Sequence, residues 1–209
     1  MTRRRPLRFV TAFTTPWFKI EASVPELGEA PYYRMAGPDG IICFPLTPAG
    51  EILLVRQFRP SLEREMLEIP AGSIDDGESC EDATFREVRE ETGYRCGEVL
   101  LLTAGRLHLN RCTHREHFML AIDAVPSASV TPEAGIVPVV VTRKQFQVLV
   151  EKNDIEQMAA VCFLGLASVK LGLNLLNDPI EAIRERVQHE IAHATGRFPR
   201  TMSRITRDV

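Results

Sequence analysis

The sequence lacks the features of a secreted, membrane-spanning or zinc-binding protein. Its five cysteines are odd in number and scattered, and none forms a Cys-x-x-Cys pair, which argues against disulfides or zinc and favours a reducing cytoplasm. The longest apolar stretch, residues 158–169, is interrupted by Ser168 and is too short to span a bilayer. The sequence shows no repeat and no low-complexity linker, and no apolar segment of signal-peptide length follows its basic first residues.

Length and composition are those of an ordinary globular protein. The 209 residues suit one medium-sized domain with appendages, and 44% are apolar while 25% are charged. The net charge of −3 argues neither for nor against an acidic ligand. Arginines are concentrated at the two ends: Arg3, Arg4, Arg5 and Arg8, then Arg197, Arg200, Arg204 and Arg207. We interpret these ends as solvated tails, so nucleic acid is not the expected partner.

Hydrophobic periodicity and turn residues predict an α/β fold. Strands are expected at residues 17–24, 32–35, 41–46, 52–58, 99–103, 116–124 and 136–142. Helices are expected at residues 79–92, 143–151, 154–171 and 178–194. The valine-rich run 137–141 is expected to be buried on both faces, with Pro138 marking an edge or a bulge.

The same pattern suggests three segments. They are an N-terminal β segment (1–37), a central domain (38–172), and a C-terminal helical extension with a basic tail (173–209). The last helix has good start signals, with Asp178 at the expected N-cap and Pro179 at the first helical position.

The helix expected at 79–92 carries an unusual number of carboxylates. Glu87, Glu90 and Glu91 stand at i, i+3 and i+4, so they share an arc of about 100° on one face. Like charges at this spacing repel by roughly 0.2–0.5 kcal/mol per pair. A hard divalent cation offsets that repulsion, and oxygen ligands suit Mg²⁺ or Mn²⁺ better than zinc. The alternative is a solvated helix face in which Arg86 pairs with Glu78.

Both ends of this helix have capping residues. Ser79 is the expected N-cap, with Asp82 three residues later in the position of a capping box. Gly93 is expected to end the helix in the left-handed conformation.

The loop and helix together form a pattern of fixed spacing. Its constrained residues are Gly72, Glu78, Arg86, Glu87, Val88, Glu90, Glu91, Gly93 and Tyr94. This pattern resembles the Nudix box, the signature of the Nudix hydrolases, at every fixed position. The preceding stretch, "LLVRQFRPSLEREMLEIPAG", is similar to that of the ADP-ribose and sugar-nucleotide pyrophosphatases within this family.

The resemblance implies a fold and an activity. The fold is an α/β/α sandwich around a mixed β-sheet. The activity is Mg²⁺-dependent hydrolysis of the diphosphate in a nucleoside diphosphate sugar or a close relative. The resemblance also implies a homodimer formed through N-terminal strands, with the segment around residues 18–34 near the partner's active-site cleft.

Particular residues take their expected roles from this resemblance. The metal ligands are Glu87 and Glu91, the auxiliary Glu90, and the backbone carbonyl of Ala71. The structural residues of the motif are Gly72, Gly93 and the pair of Glu78 with Arg86. The substrate-binding residues are Arg59, Arg56 and His114; Arg59 is the arginine expected on the substrate phosphates, for which its forked donors are suited. Glu133, in the loop "SVTPEAGIV", is the candidate catalytic base, and a plain exposed turn residue is the alternative.

The loop "LHLNRCTHREH" departs from the subfamily pattern. Leu109 and Asn110 stand where the ADP-ribose enzymes usually have proline and glycine, and His114 stands where they tend to have glutamate. We therefore do not expect ADP-ribose to be a uniquely preferred substrate. His108 and His117 in the same region are interpreted, like His114, as substrate contacts or surface residues rather than metal ligands.

Two alternatives to a nucleoside diphosphate sugar hydrolase stay open from the sequence. One is hydrolysis of another diphosphate, such as a dinucleotide or the 5′ end of an RNA. The other is a Nudix domain that senses a ligand without hydrolysing it, which the complete set of box glutamates disfavours.

Overall fold

The computed structural model describes residues 7–24 and 29–197, and most of the arginines of the two predicted tails lie outside these ranges. The strands are β1 (Phe9–Thr14), β2 (Lys19–Ser23), β3 (Tyr33–Ala36), β4 (Gly40–Pro45), β5 (Ile52–Arg59), β6 (Arg64–Glu68), β7 (Ala71–Ser73), β8 (Tyr94–Arg95), β9 (Glu98–Gly105), β10 (Glu116–Ile122), β11 (Val125–Pro126) and β12 (Ile136–Val141). The helices are α1 (Cys80–Thr92), α2 (Arg143–Glu151), α3 (Met158–Leu171) and α4 (Ile180–Arg197).

The central sheet is mixed. Its order is β7-β4-β10-β9, with β4 and β10 parallel and the other pairs antiparallel. A second sheet, β12-β5-β6, is antiparallel throughout. Helix α1 packs on one side of the strands, and α2, α3 and α4 pack on the other. The expected α/β/α sandwich around a mixed sheet is therefore confirmed.

The larger core lies between the strands and helices α2 to α4. The Phe44 ring meets those of Phe146 and Phe163, with centroids 5.6 and 5.4 Å apart. All three side chains are fully buried, and burying an aromatic ring of this size stabilises the fold by roughly 1.5–3 kcal/mol. The smaller core lies under α1, where Val88 packs with Met119 of β10. These contacts fix α1 against the sheet.

Helix α4 belongs to the larger core. Ile183 and Val187 are fully buried there. Arg184 also forms an ion pair with Asp123 at 2.7 Å. The helix begins at Ile180, two residues after the expected N-cap.

One prediction about the valine-rich run is wrong and one is confirmed. Val137 and Val140 are 56% and 38% exposed, so the run is not buried on both faces. The reason is that β12 stands at the end of its sheet, which confirms the edge position expected from Pro138.

Strand β1 at the N-terminus was not among the strands expected from the sequence. Strand β1 joins β2 and β3 in a separate antiparallel sheet. This sheet is attached to the loop before β10: the Met35 N–H donates to the Arg111 carbonyl at 2.7 Å, and the Thr113 N–H donates to the Met35 carbonyl at 3.0 Å. The attachment holds the N-terminal sheet against the loop that precedes β10.

Candidate active site

Both ends of α1 are fixed by capping interactions. The Ser79 hydroxyl accepts a hydrogen bond from the Asp82 N–H at 3.0 Å. The Asp82 carboxylate accepts from the Ser79 hydroxyl at 2.7 Å, a side-chain contact in place of the expected return to the backbone. At the other end Gly93 has φ of 72°, and its N–H donates to the Arg89 carbonyl at 2.9 Å. The caps fix where α1 begins and ends, and Glu87 and Glu91 are the glutamates of this helix that lie against β7.

Arg86 connects the helix to the loop before it. It donates to both oxygens of Glu78, at 2.9 and 2.8 Å, and to the Ser73 carbonyl at 2.8 Å. These charge-assisted bonds tie the middle of α1 to the segment that follows β7.

Two glutamates of α1 are largely buried beside β7. Glu91 is 6% exposed, and its carboxylate accepts a hydrogen bond from the Ala71 N–H at 3.1 Å. Burial raises the pKa of Glu91 to about 8, and the charge of Glu87 adds to the rise while the Ala71 bond opposes it. Burial also raises the pKa of Glu87, although Arg86 acts in the opposite direction. Two desolvated carboxylates at one place favour a bound cation.

Gly72 allows Glu87 to reach the backbone of the loop. A Cβ at this position would overlap the Glu87 carboxyl group. The missing side chain lets that carboxylate lie against the Ala71–Gly72 backbone, with Glu91 bonded to the adjacent N–H.

The donor chemistry of this place fits a hard divalent cation. The carboxylates of Glu87 and Glu91 and the carbonyl of Ala71 are the oxygen ligands that Mg²⁺ and Mn²⁺ prefer. Across residues 7–24 and 29–197, however, no group of three His, Cys, Asp or Glu side chains is arranged so that it could already hold a metal ion. Arg86 Nη1 instead donates to Glu87 at 2.7 Å and lies 3.4 Å from Glu90. Each of these contacts uses one oxygen of its carboxylate, so Glu87 Oε2 and Glu90 Oε1 are not engaged by Nη1, and Glu78 also holds Arg86 in place.

Arg59 stands beside this cluster but is already paired. Its Nε and Nη2 donate to the two oxygens of Glu68, at 2.8 and 2.6 Å, across the β5–β6 hairpin. The hydrogen bonds that Arg59 donates to Glu68 raise the pKa of the guanidinium. Glu68 is buried and was not among the site residues expected from the sequence, although it begins the segment "EIPAG". Glu68 therefore orients the guanidinium near Glu91.

The structure does not bring Arg56 to the glutamates. Side chains alternate along β5, so Leu53 faces α1 while Leu54 faces α2 and α3. Arg56 follows Leu54 in this alternation and lines a groove with Leu149 and Glu156 on the far side. Its assignment to the substrate stays a prediction without support from its position in a single chain.

Glu133 is held near α1 by its backbone. Its N–H donates to the Glu90 carbonyl at 2.8 Å, and its side chain is exposed. The contact fixes the loop before β12 to the last turn of α1, and the Glu133 carboxylate is exposed to solvent there.

A cavity of about 320 Å³ lies between β7, β4 and the N-terminal sheet. It is lined by Trp17, Phe18, Met35, Gly37, Pro38, Gly40, Ile41, Ile42, Ala71, Gly72, Ser73, His114 and Glu116. His114 lines the same cavity as Ala71, whose carbonyl is the expected metal ligand, and its assignment to the substrate stays a prediction. His117 turns away: its Nδ1 lies 3.1 Å from the Gly40 carbonyl. Glu116 also lines the cavity but was not among the expected site residues, because a charged residue at the start of a strand gives no functional signal in the sequence.

Comparison with known proteins places the chain in a family. A NUDIX domain matches residues 37–166, more than half of the 209 residues, and the chain belongs to that family. It is 42% identical over 67 residues to the ADP-ribose pyrophosphatase of Bacillus subtilis, covering 32% of this chain and 36% of that protein. It is 58% identical over 48 residues to the ADP-sugar pyrophosphatase of Mus musculus, covering 23% of this chain and 22% of that protein.

A solved structure supports the fold. The crystal structure of an ADP compounds hydrolase matches with a TM-score of 0.67 at 22% identity, over 80% of this chain and 94% of that chain. The sequence matches named above span little more than a third of the curated relatives' length at most. No helix in the described ranges is long and apolar enough to cross a membrane.

Arg59→Ala tests whether the guanidinium reaches the substrate phosphates. A charged hydrogen bond is worth roughly 1.5–3 kcal/mol, so we expect kcat/KM to fall about ten- to hundredfold. Steady-state kinetics on a nucleoside diphosphate sugar measure it, and Arg64→Ala, an exposed arginine paired with Glu156 at 2.7 Å, is the control. If the kinetics of Arg59→Ala are unchanged, Arg59 has only a structural role, as the partner of Glu68.

Proposed function

We propose that this protein is a pyrophosphatase that uses Mg²⁺, or Mn²⁺ in its place, and acts on a nucleoside diphosphate sugar of the ADP-ribose type. The products are a nucleoside monophosphate and a sugar phosphate. The names of the two relatives above support this substrate class. We place the enzyme in the cytoplasm, in keeping with its five free cysteines.

One observation carries the proposal. The carboxylates of Glu87 and Glu91 are held in a largely buried place against the Ala71–Gly72 backbone, at the edge of a cavity large enough for one substrate moiety. A purely structural helix face has no need for two desolvated carboxylates with raised pKa values.

Each residue of the site has a role in this proposal. Glu87, Glu91 and the Ala71 carbonyl hold the metal, with Glu90 as an additional ligand. When bound, such a metal polarises a phosphoryl oxygen and lowers the pKa of an attacking water. Arg59, oriented by Glu68, neutralises charge on the diphosphate.

We assign Glu133 as the general base that takes the proton of the attacking water. General-base catalysis contributes at least about a hundredfold, so Glu133→Gln is expected to lower kcat about that much while KM stays near the wild-type value. Stopped assays at saturating substrate measure it, with Glu151→Gln, an exposed residue at the end of α2, as the control. If Glu133→Gln keeps the wild-type kcat, Glu133 is not the general base.

A substrate panel tests the proposed function itself. Nucleoside diphosphate sugars, a dinucleoside polyphosphate and a triphosphorylated RNA are each incubated with the enzyme and Mg²⁺, and initial rates are compared. We expect the sugars to be hydrolysed fastest, with kcat/KM for ADP-ribose less than a hundredfold above the next compound. A fastest rate on the RNA would favour the alternative substrate, and binding without hydrolysis would favour the ligand sensor.

We also propose that the chain forms a homodimer through its N-terminal sheet. Leu7, Phe13 and Trp17 are 62%, 60% and 76% exposed in a single chain, and a small three-stranded sheet needs cover for its apolar side chains and edges. A second copy in a two-fold arrangement provides that cover. Trp17 also lines the cavity, so the same interface would close one side of the site.

Light scattering tests the assembly. We expect about twice the 23.5 kDa of one chain for the wild type. Phe13→Ser should shift the mass towards the monomer, whereas Val169→Ser, which changes an 87% exposed valine on α3, should not. A wild-type mass near one chain's value at micromolar concentration would reject the dimer.

A further inference from the structure

The cavity beside residues 71–73 is lined mostly by apolar side chains and has one polar corner, formed by His114 and Glu116. Trp17, Phe18 and Met35 form part of the apolar side. The corner adjoins Ala71 and Gly72, where the proposed metal site begins. A group that flanks a diphosphate bound there therefore meets this corner.

The backbone makes room for the carboxylate of Glu116. In the parallel pair of β4 and β10, Glu116 stands opposite Gly40. A Cβ on Gly40 would lie 2.5 Å from Glu116 Oε2, so only glycine at that position lets the carboxylate occupy the corner. The side chain of Glu116 is 18% exposed, and His114 Nε2 lies 3.5 Å from its Oε1.

This carboxylate is poorly satisfied within its own chain. Among the residues that the structure describes, no backbone N–H, arginine or lysine donates to it, and the imidazole at 3.5 Å is its polar neighbour. Partial burial of a carboxylate is costly when the chain supplies it with no strong hydrogen-bond donor. An apolar residue would serve a purely structural purpose better at the start of a buried strand. Hydroxyl groups of a bound ligand can donate the hydrogen bonds that the Glu116 carboxylate does not receive from its own chain.

We infer that Glu116 and His114 form a specificity-determining pair that accepts hydrogen bonds from the hydroxyl groups of an uncharged sugar and rejects an anionic group in the same position. This inference rests on the proposed function, because it takes the diphosphate to lie at Glu87 and Glu91. An ionised carboxylate has acceptor oxygens only, so it selects hydroxyl donors.

Charge gives the pair its second property. Asp39 lies close enough to Glu116 for its charge to add to the effect of burial, and together they raise the pKa of Glu116 to about 7. A further negative charge in this corner meets both acids in a partly desolvated setting, where like-charge repulsion is stronger than in water. A sugar that differs from a neutral sugar only by a carboxylate is therefore the substrate with which to test this repulsion.

The test compares kcat/KM for a nucleoside diphosphate glucose with kcat/KM for the corresponding nucleoside diphosphate glucuronate. The assays are run at about pH 8.5, above the pKa of Glu116. For the wild type we expect kcat/KM to favour the glucose compound at least about tenfold. Glu116→Gln keeps the shape and removes the charge, and it should narrow this ratio at least about tenfold, mainly through KM. His114→Ala should narrow the ratio in the same direction. Glu65→Gln, an exposed glutamate on β6, should keep the wild-type ratio.

The outcomes separate this inference from the proposed function. If the wild type hydrolyses the sugars but Glu116→Gln and His114→Ala both keep its ratio, the pair does not determine specificity and the inference alone fails. The inference also fails if Glu116→Gln alters the choice between nucleosides instead of sugars. If the wild type hydrolyses no nucleoside diphosphate sugar, both fail. Thermal melts of each variant show whether a lost activity reflects lost folding.

Discussion

Glu91→Gln is expected to lower kcat by about three orders of magnitude while the protein stays folded. Metal-assisted charge stabilisation is worth several kcal/mol, and about 1.4 kcal/mol corresponds to a tenfold change in rate. Glutamine keeps the shape of the side chain and can still accept from the Ala71 N–H. It also removes a carboxylate whose burial opposes ionisation, so the melting temperature without metal should not fall.

The matched control for this variant lies on the same helix. Glu81 is exposed in the first turn of α1, and Glu81→Gln should leave kcat within about twofold of the wild type. The experiment measures kcat across a series of Mg²⁺ concentrations together with the melting temperature. Near-normal turnover of Glu91→Gln at millimolar Mg²⁺ would show that the glutamates of α1 do not hold a metal.

Gly72→Ala is expected to lower kcat/KM several hundredfold without any change in charge. The new methyl group would take the place of the Glu87 carboxyl group. Displacing that carboxylate removes one proposed ligand, and loss of one preorganised group at a reacting centre costs about 10²–10³-fold.

A second glycine provides the control. Gly165 lies inside α3, and a Cβ built there meets nothing within 4 Å. Gly165→Ala should leave activity unchanged and raise the free energy of unfolding by about 0.5–1 kcal/mol. If Gly72→Ala keeps full activity, the contact between Glu87 and the loop has no part in catalysis.

Local signals predicted much of the fold and part of the site. The caps at Ser79 and Gly93 depend on residues within one turn of the helix end, so spacing alone indicates them. The contact of Arg86 with Glu78 spans eight residues, and the helix and its preceding turn bring the two together. Helix α2 has the bounds expected from its periodicity.

Features that depend on distant strands were not predictable in this way. Glu116 is placed beside Gly40 by a parallel pairing that joins residues 76 positions apart. The exposure of Val137 follows from the position of β12 at a sheet edge, which local hydrophobicity does not report. Strand β1 is different, because residues 9–14 are rich in aromatic and β-branched side chains and Pro16 follows soon after, so a local strand signal was present.

The most direct measurement is ³¹P NMR of a nucleoside diphosphate sugar incubated with the enzyme, with and without Mg²⁺. The account predicts that the two diphosphate resonances disappear only when Mg²⁺ is present, and that two phosphate monoester resonances replace them in equal amounts. Persistence of the diphosphate in the presence of Mg²⁺ or Mn²⁺, or equal conversion after the metal has been removed by a chelator, would contradict it.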